Sequence, residues 1–128
     1  VGFLTAGPHG STYSGTPLGS RVVYTVIDTI QKDNLVENAA NMGAYIVDQF
    51  RQQLAEQNVT VRGFGLMIGI ELPKACPELV DVARDEYKLI INVTAGSVIR
   101  LLPALNIDKA QADQLVERIV KMVKAFLA

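Results

Sequence analysis

The order of apolar patterns along this chain predicts an α+β fold, with helices packed on a small, mostly antiparallel sheet. Three observations carry that expectation. Apolar stripes at helical spacing open and close the chain. Between them lie short β-branched runs, arranged in pairs with glycine at each join. The length of 128 residues suits one ordinary domain, and 49% hydrophobic residues are enough to bury a core.

Each element follows in turn. Thr16 is a good helix N-cap, and Pro17 suits the first helical position, where its missing N–H costs nothing. Leu18, Val22, Val23, Val26, Ile27 and Ile30 then form a broad apolar stripe. Gln31 to Asn34 interrupt it, and Asn34 is read as the cap of a second helix. That helix carries Leu35, Ala39, Met42, Ile46, Phe50 and Leu54 on one face and runs to about Asn58. Val59–Arg62 and Leu66–Leu72 read as two strands joined by a glycine turn or bulge. Pro77 opens a short amphipathic helix through Leu79, Val80, Val82, Ala83 and Tyr87. Leu89–Val93 and Val98–Leu102 are two further β-rich runs, with a hairpin turn at Thr94–Ser97. Asp108 caps a closing helix whose Leu115, Ile119, Met122, Val123 and Phe126 face the core. No internal repeat is visible.

Composition excludes several function classes. Twelve basic against 13 acidic side chains give a net charge of −1 and a pI near 5.8, without the clustered basic face of a nucleic-acid binder. No apolar run approaches the length of a membrane helix. One Cys permits no internal disulfide and one His no multi-His metal site, so no metal is expected and a reducing cytoplasm fits best. The chain opens Val1-Gly2-Phe3-Leu4 without an initiator Met or a signal-peptide pattern, then runs into a Gly-, Ser- and Thr-rich loop. Such an opening is expected of a piece of a longer protein.

The loop from Gly7 to Pro17 is the most informative segment. It sets glycines, hydroxyl side chains and exposed backbone N–H groups directly before a helix N-terminus. That end carries about half a positive elementary charge and favours a phosphate or another anion. An ordinary Gly/Ser turn has the same composition. The lysine of a P-loop is missing, which argues against nucleotide hydrolysis.

Arg100 stands inside the apolar run Val98–Pro103. Its guanidinium stays charged, so at a buried strand end it demands a carboxylate or phosphate. Strand alternation points it away from Ile99 and Leu101, into a cleft or, on an edge strand, toward water or a structural Glu. Arg62, beside a glycine pair, suits either a carboxylate or a loop cap, with the structural role favoured. Gly63, Gly65 and Gly69 lack the spacing of a dinucleotide fingerprint. His9 is a lone loop residue suited to a turn. Cys76 has no acid–base neighbour and reads as a small side chain.

Taken in order, these segments resemble the C-terminal third of class III pyridoxal-phosphate-dependent aminotransferases, most closely the acetylornithine branch. The family's phosphate loop, H-G-S-T-F/Y-G-G-N-P-L, corresponds to His9-Gly10-Ser11-Thr12-Tyr13-Ser14-Gly15-Thr16-Pro17-Leu18. Its R-G-x-G-L-M-x-G-x-E-L block corresponds to Arg62 through Leu72. A third block corresponds to Leu89 through Leu105, with Arg100 in place. The resemblance covers essentially the whole chain.

The resemblance implies a division into the end of a large domain, residues 1–33, and a small C-terminal domain, residues 34–128. It implies pyridoxal 5'-phosphate as cofactor, its phosphate held by Thr12 and Ser11 across a homodimer with a shared active site. It implies that Arg100 binds a substrate carboxylate and pairs with a large-domain Glu when the site is empty. The parent reaction would be ping-pong transfer of an amino group between N-acetylornithine and 2-oxoglutarate, in arginine biosynthesis. Ornithine, succinylornithine or 4-aminobutyrate as amino donor remains an alternative, as does a non-catalytic dimerisation module. No catalytic residue is assigned within the chain, because none of Lys32, Lys74, Lys88, Lys109, Lys121 and Lys124 sits where the cofactor-bearing lysine belongs. The chain alone is therefore expected to be inactive.

Six positions, at four places, depart from the family pattern. Ser14 replaces a usual Gly, which would strain the loop if that position needs a positive φ. Thr16 replaces Asn but still caps a helix. Ala104 stands where a second Pro is frequent. Gly19-Ser20-Arg21 replaces a run of small residues, and the resemblance does not explain Arg21.

Overall fold

A computed structural model describes Gly10 and residues 12–128; His9 and Ser11 lie outside the described residues. The chain divides into two compact units, Val1–Leu35 and Val36–Ala128.

In the first unit, helix α1 spans Pro17–Lys32. Thr16 caps it as expected, its side chain accepting the Gly19 N–H at 3.3 Å. The left-handed residue of the preceding turn is Gly15, at φ +72°, and not Ser14, so the Gly-to-Ser departure carries no strain. Arg21 also finds a use. Its guanidinium carbon lies 5.4 Å from the centre of the Tyr24 ring, one helical turn along.

One expectation fails here, and the apolar stripe of α1 stays exposed. None of the residues of α1 is buried, and Val22 and Ile27 remain 55% and 51% exposed. An apolar stripe marks the face that seeks a partner; it does not place that partner. Asn34 does not cap the next helix. It follows the C-cap Asp33 at φ +51°, the left-handed residue that ends α1, a conformation Asn tolerates better than most residues. Helix α2, Leu35–Gln53, starts at once.

The second unit continues from α2 through strands β1, Thr60–Phe64, and β2, Met67–Glu71. Helix α3, Leu79–Asp85, is followed by β3, Asn92–Thr94, β4, Val98–Leu101, and α4, Lys109–Leu127. The sheet order is β1-β2-β4-β3 and every neighbouring pair is antiparallel. This is the α+β arrangement predicted, with several element ends displaced: β3 starts at Asn92 instead of Leu89, and α3 covers Leu79–Asp85 instead of opening at Pro77. The chain leaves α2 after Gln53 instead of near Asn58, because Leu54 is buried in the core by a turn that closes with Asn58 at φ +50°.

One face of the sheet carries the core. Val61, Ile68, Ile70, Ile99 and Leu101 pack with Ile46 and Phe50 of α2, Leu79 and Ala83 of α3, and Ile119, Met122 and Val123 of α4. Asp108 fixes the start of α4 through a reciprocal capping box. Its carboxylate accepts the Gln111 N–H at 2.8 Å, and its own N–H donates to the Gln111 side chain at 3.1 Å. The opposite face of the sheet is open, with polar side chains along its middle and the exposed Phe64 and Met67 beside the β1–β2 turn. Among the described residues, no helix is long and apolar enough to cross a membrane.

Candidate functional site

Strand alternation builds the open face residue by residue. In β4, Val98, Ile99 and Leu101 are buried and Arg100 is exposed. The strand is interior, between β2 and β3, so the edge-strand reading of Arg100 does not hold. Directly opposite Arg100 lie Gly69 of β2 and Asn92 of β3, and Gly69 in turn faces Arg62 of β1. Residues paired this way project from the same face. Arg62, Gly69, Arg100 and Asn92 therefore form one row across the sheet.

Gly69 is what makes the row hollow. With no side chain between two arginines, bare backbone floors a groove of about 400 Å³, walled by Arg62, Met67, Thr94, Val98 and Arg100. The arginines differ in their partners. Arg62 donates to Glu71 at 2.5 Å, so its structural reading holds. Arg100 has no carboxylate within ion-pair distance among the described residues. A planar guanidinium at the wall of an open groove, with its fork of N–H donors uncommitted, is suited to a carboxylate brought in from solution.

A larger groove, about 770 Å³, runs along α2 past Val36, Ala40, Phe64, Met67 and Leu102. Its two charged residues are already engaged. Arg51 donates to the Val61 carbonyl at 3.2 Å, and Asp48 accepts from Gln52 at 2.6 Å. The walls are otherwise mainly apolar, so this groove offers an anion nothing.

The other candidate, Thr12, belongs to the first unit. It is exposed in a turn that ends at the α1 N-terminus, and its hydroxyl makes no hydrogen bond among the described residues. The first turn of α1 contains no acidic residue to repel an anion. Cys76 is fully buried, and burial, followed by the Glu78 charge, pushes its thiol above the usual range, which keeps it unreactive.

Two contributors escaped the sequence reading. Glu71, which engages Arg62, acquires its meaning only from strand register. Asn38 ties α2 to the segment after β4, its amide donating to the Leu105 carbonyl at 2.7 Å and the Ile107 carbonyl at 3.1 Å. It lies off the apolar stripe, where nothing in the periodicity marks it.

The family model for aminotransferase class-III matches residues 1–123. Acetylornithine aminotransferase of Nitrosomonas europaea is 43% identical over 123 residues, which is 94% of this chain and 31% of the relative. Among solved structures, an ornithine delta-aminotransferase of Plasmodium falciparum superposes with a TM-score of 0.85 at 34% identity, over 97% of this chain and 33% of that one. An acetylornithine aminotransferase of Elizabethkingia anophelis gives 0.83 at 29% identity, over 96% of this chain and 34% of that one. The chain thus spans about a third of the length of the relatives it matches. With three sequence blocks, the fold and the match over 123 of 128 positions in agreement, the chain belongs to the class-III aminotransferase family.

Proposed function

We propose that this chain serves as the cofactor-phosphate loop, connecting helix and small domain of a pyridoxal-phosphate-dependent aminotransferase acting on N-acetylornithine and 2-oxoglutarate, in arginine biosynthesis. Residues 1–33 would belong to the large domain and residues 34–128 to the small one. The observation that carries the reading is Arg100, unpaired among the described residues and set in a groove whose floor is Gly69. Both substrates of such an enzyme carry carboxylates, and a guanidinium fork can hold one in two parallel hydrogen bonds.

Thr12 and Ser11 would hold the cofactor phosphate. The exposed Thr12 hydroxyl and an α1 start free of acidic residues fit that group. When bound, pyridoxal 5'-phosphate supplies the electron sink; the protein supplies orientation and charge. Arg100 anchors the substrate and keeps its amino or oxo end in register, and Thr12 reaches the phosphate from the neighbouring subunit of a cytoplasmic homodimer. The chain by itself is expected to be inactive, since none of its lysines stands in the context of the cofactor-bearing lysine.

A second reading takes ornithine as the amino donor, favoured by the likeness to the Plasmodium falciparum ornithine delta-aminotransferase structure. Steady-state kinetics of the intact aminotransferase carrying this sequence tests the proposal. Preference for N-acetylornithine over ornithine, and a KM for 2-oxoglutarate that rises in Arg100→Gln with the melting temperature unchanged, are the expected results. Equal or better turnover of ornithine would move the assignment to the second reading. An Arg100→Gln enzyme with an unaltered KM would remove the carboxylate role.

A further inference from the structure

The groove holds two arginines and one nearby glutamate, and the way they pair determines what Arg100 can bind. Glu71 lies on the same open face, two residues beyond Gly69 along β2. It stands opposite Thr60 of β1 on one side and Val98 of β4 on the other. Arg62 and Arg100 are each two residues from those positions, so Glu71 is the diagonal neighbour of both. Diagonal positions on one face lie about 7–8 Å apart, within reach of long side chains. One carboxylate therefore has two guanidinium groups to choose between.

The choice is made in favour of Arg62. Its guanidinium holds Glu71 at 2.5 Å. Its stem lies across the central strand, with Cγ and Nε 3.7 and 3.8 Å from where a Gly69 β-carbon would stand. Arg100, on the far side of that glycine, is left without a carboxylate among the described residues.

We infer that Arg62 is a positioning residue that occupies Glu71 and so keeps Arg100 available for the substrate carboxylate. Without Arg62, Glu71 is left with Arg100 as the other cation diagonal to it on this face. An ion pair between them would then compete, within the chain, with every carboxylate arriving from solution. The inference rests on the proposed role of Arg100 and assigns a second, separate role to the Arg62–Glu71 pair of the same face.

The test is a set of variants of the intact aminotransferase, each assayed for KM and kcat with 2-oxoglutarate and for melting temperature. Arg62→Gln raises KM about two- to fivefold, the factor an exposed ion pair can withhold, while kcat holds. Arg62→Gln combined with Glu71→Gln returns KM toward the parent value, because the competing carboxylate is gone. Arg62→Lys, which leaves a cation beside Glu71, recovers most of the loss and serves if Arg62→Gln folds poorly. An unchanged KM in Arg62→Gln, or a double variant as impaired as the single one, would overturn the inference in favour of a purely structural pair. Arg100→Gln in the same series separates the two claims. If it raises KM and Arg62→Gln does not, only the positioning role fails; if it leaves KM unaltered, the carboxylate role of Arg100 fails first.

Discussion

Gly43, in the middle of α2, packs directly on the carbonyl group of Gly65: a β-carbon at position 43 would lie 2.1 Å from that oxygen and 2.4 Å from its carbon. A glycine inside a helix is intrinsically unfavourable by about 1 kcal/mol relative to Ala. This one is required by the close approach of α2 to the β1–β2 turn, where Gly65 sits at φ +52°.

Gly43→Ala is therefore expected to destabilise the domain in spite of the better helix propensity of alanine. The clash is with backbone, which cannot swing aside, and overpacking of this kind costs about 1–3 kcal/mol. Chemical denaturation gives the measurement. A stability equal to or above that of the parent would show that α2 and the turn have freedom to move apart.

Asp108→Ala removes a cap that serves a 19-residue helix contributing six buried residues. Loss of both capping-box hydrogen bonds should lower stability by about 0.5–2 kcal/mol. Asp108→Asn, which keeps the acceptor, should retain most of it. Thermal unfolding of the two variants side by side decides; equal losses would assign the effect to charge alone.

Tyr45 of α2 donates to Asp113 of α4 at 2.5 Å, and Lys109 donates to the other carboxylate oxygen at 2.9 Å. The Tyr45 hydrogen bond first, then Lys109, holds the Asp113 carboxyl below its usual range. A depressed folded-state pKa stabilises in full above the ordinary carboxylate pKa of about 3.9, and the contribution is lost as pH falls through the folded value. Tyr45→Phe should bring the Asp113 titration upward, read by carbon-13 NMR of its carboxyl. An unmoved midpoint would mean that the hydroxyl does not control it.

Thr12→Ala in the intact aminotransferase should leave folding unaffected, since the side chain is exposed, yet weaken retention of pyridoxal 5'-phosphate by about 1–3 kcal/mol. Equilibrium dialysis against the cofactor measures this directly. Unchanged retention would refute the phosphate role.

Which of these features the sequence revealed depended on how local their causes are. The α4 cap was legible because Asp108 and Gln111 are three residues apart and act on each other. The end of α2 was not, because buried Leu54 extends the apolar stripe whether the chain is helical or turning there. Asn34 misled for a related reason: asparagine favours both an N-cap and a left-handed helix end, and only backbone geometry separates them. Arg100 stood out as a charge within a β-rich run, but the hollow before it needed the pairing of β2 with β4 to put Gly69 opposite. Glu71 was invisible for the same reason, since its diagonal relation to two arginines exists only in the assembled sheet.

The most direct test of the site is a crystal structure of the intact aminotransferase with 2-oxoglutarate bound. The Arg100 guanidinium should grip a carboxylate of that molecule in the groove over Gly69, with Arg62 still on Glu71. Density placing the oxo acid elsewhere, and Arg100 locked to a carboxylate of the protein itself, would contradict the account.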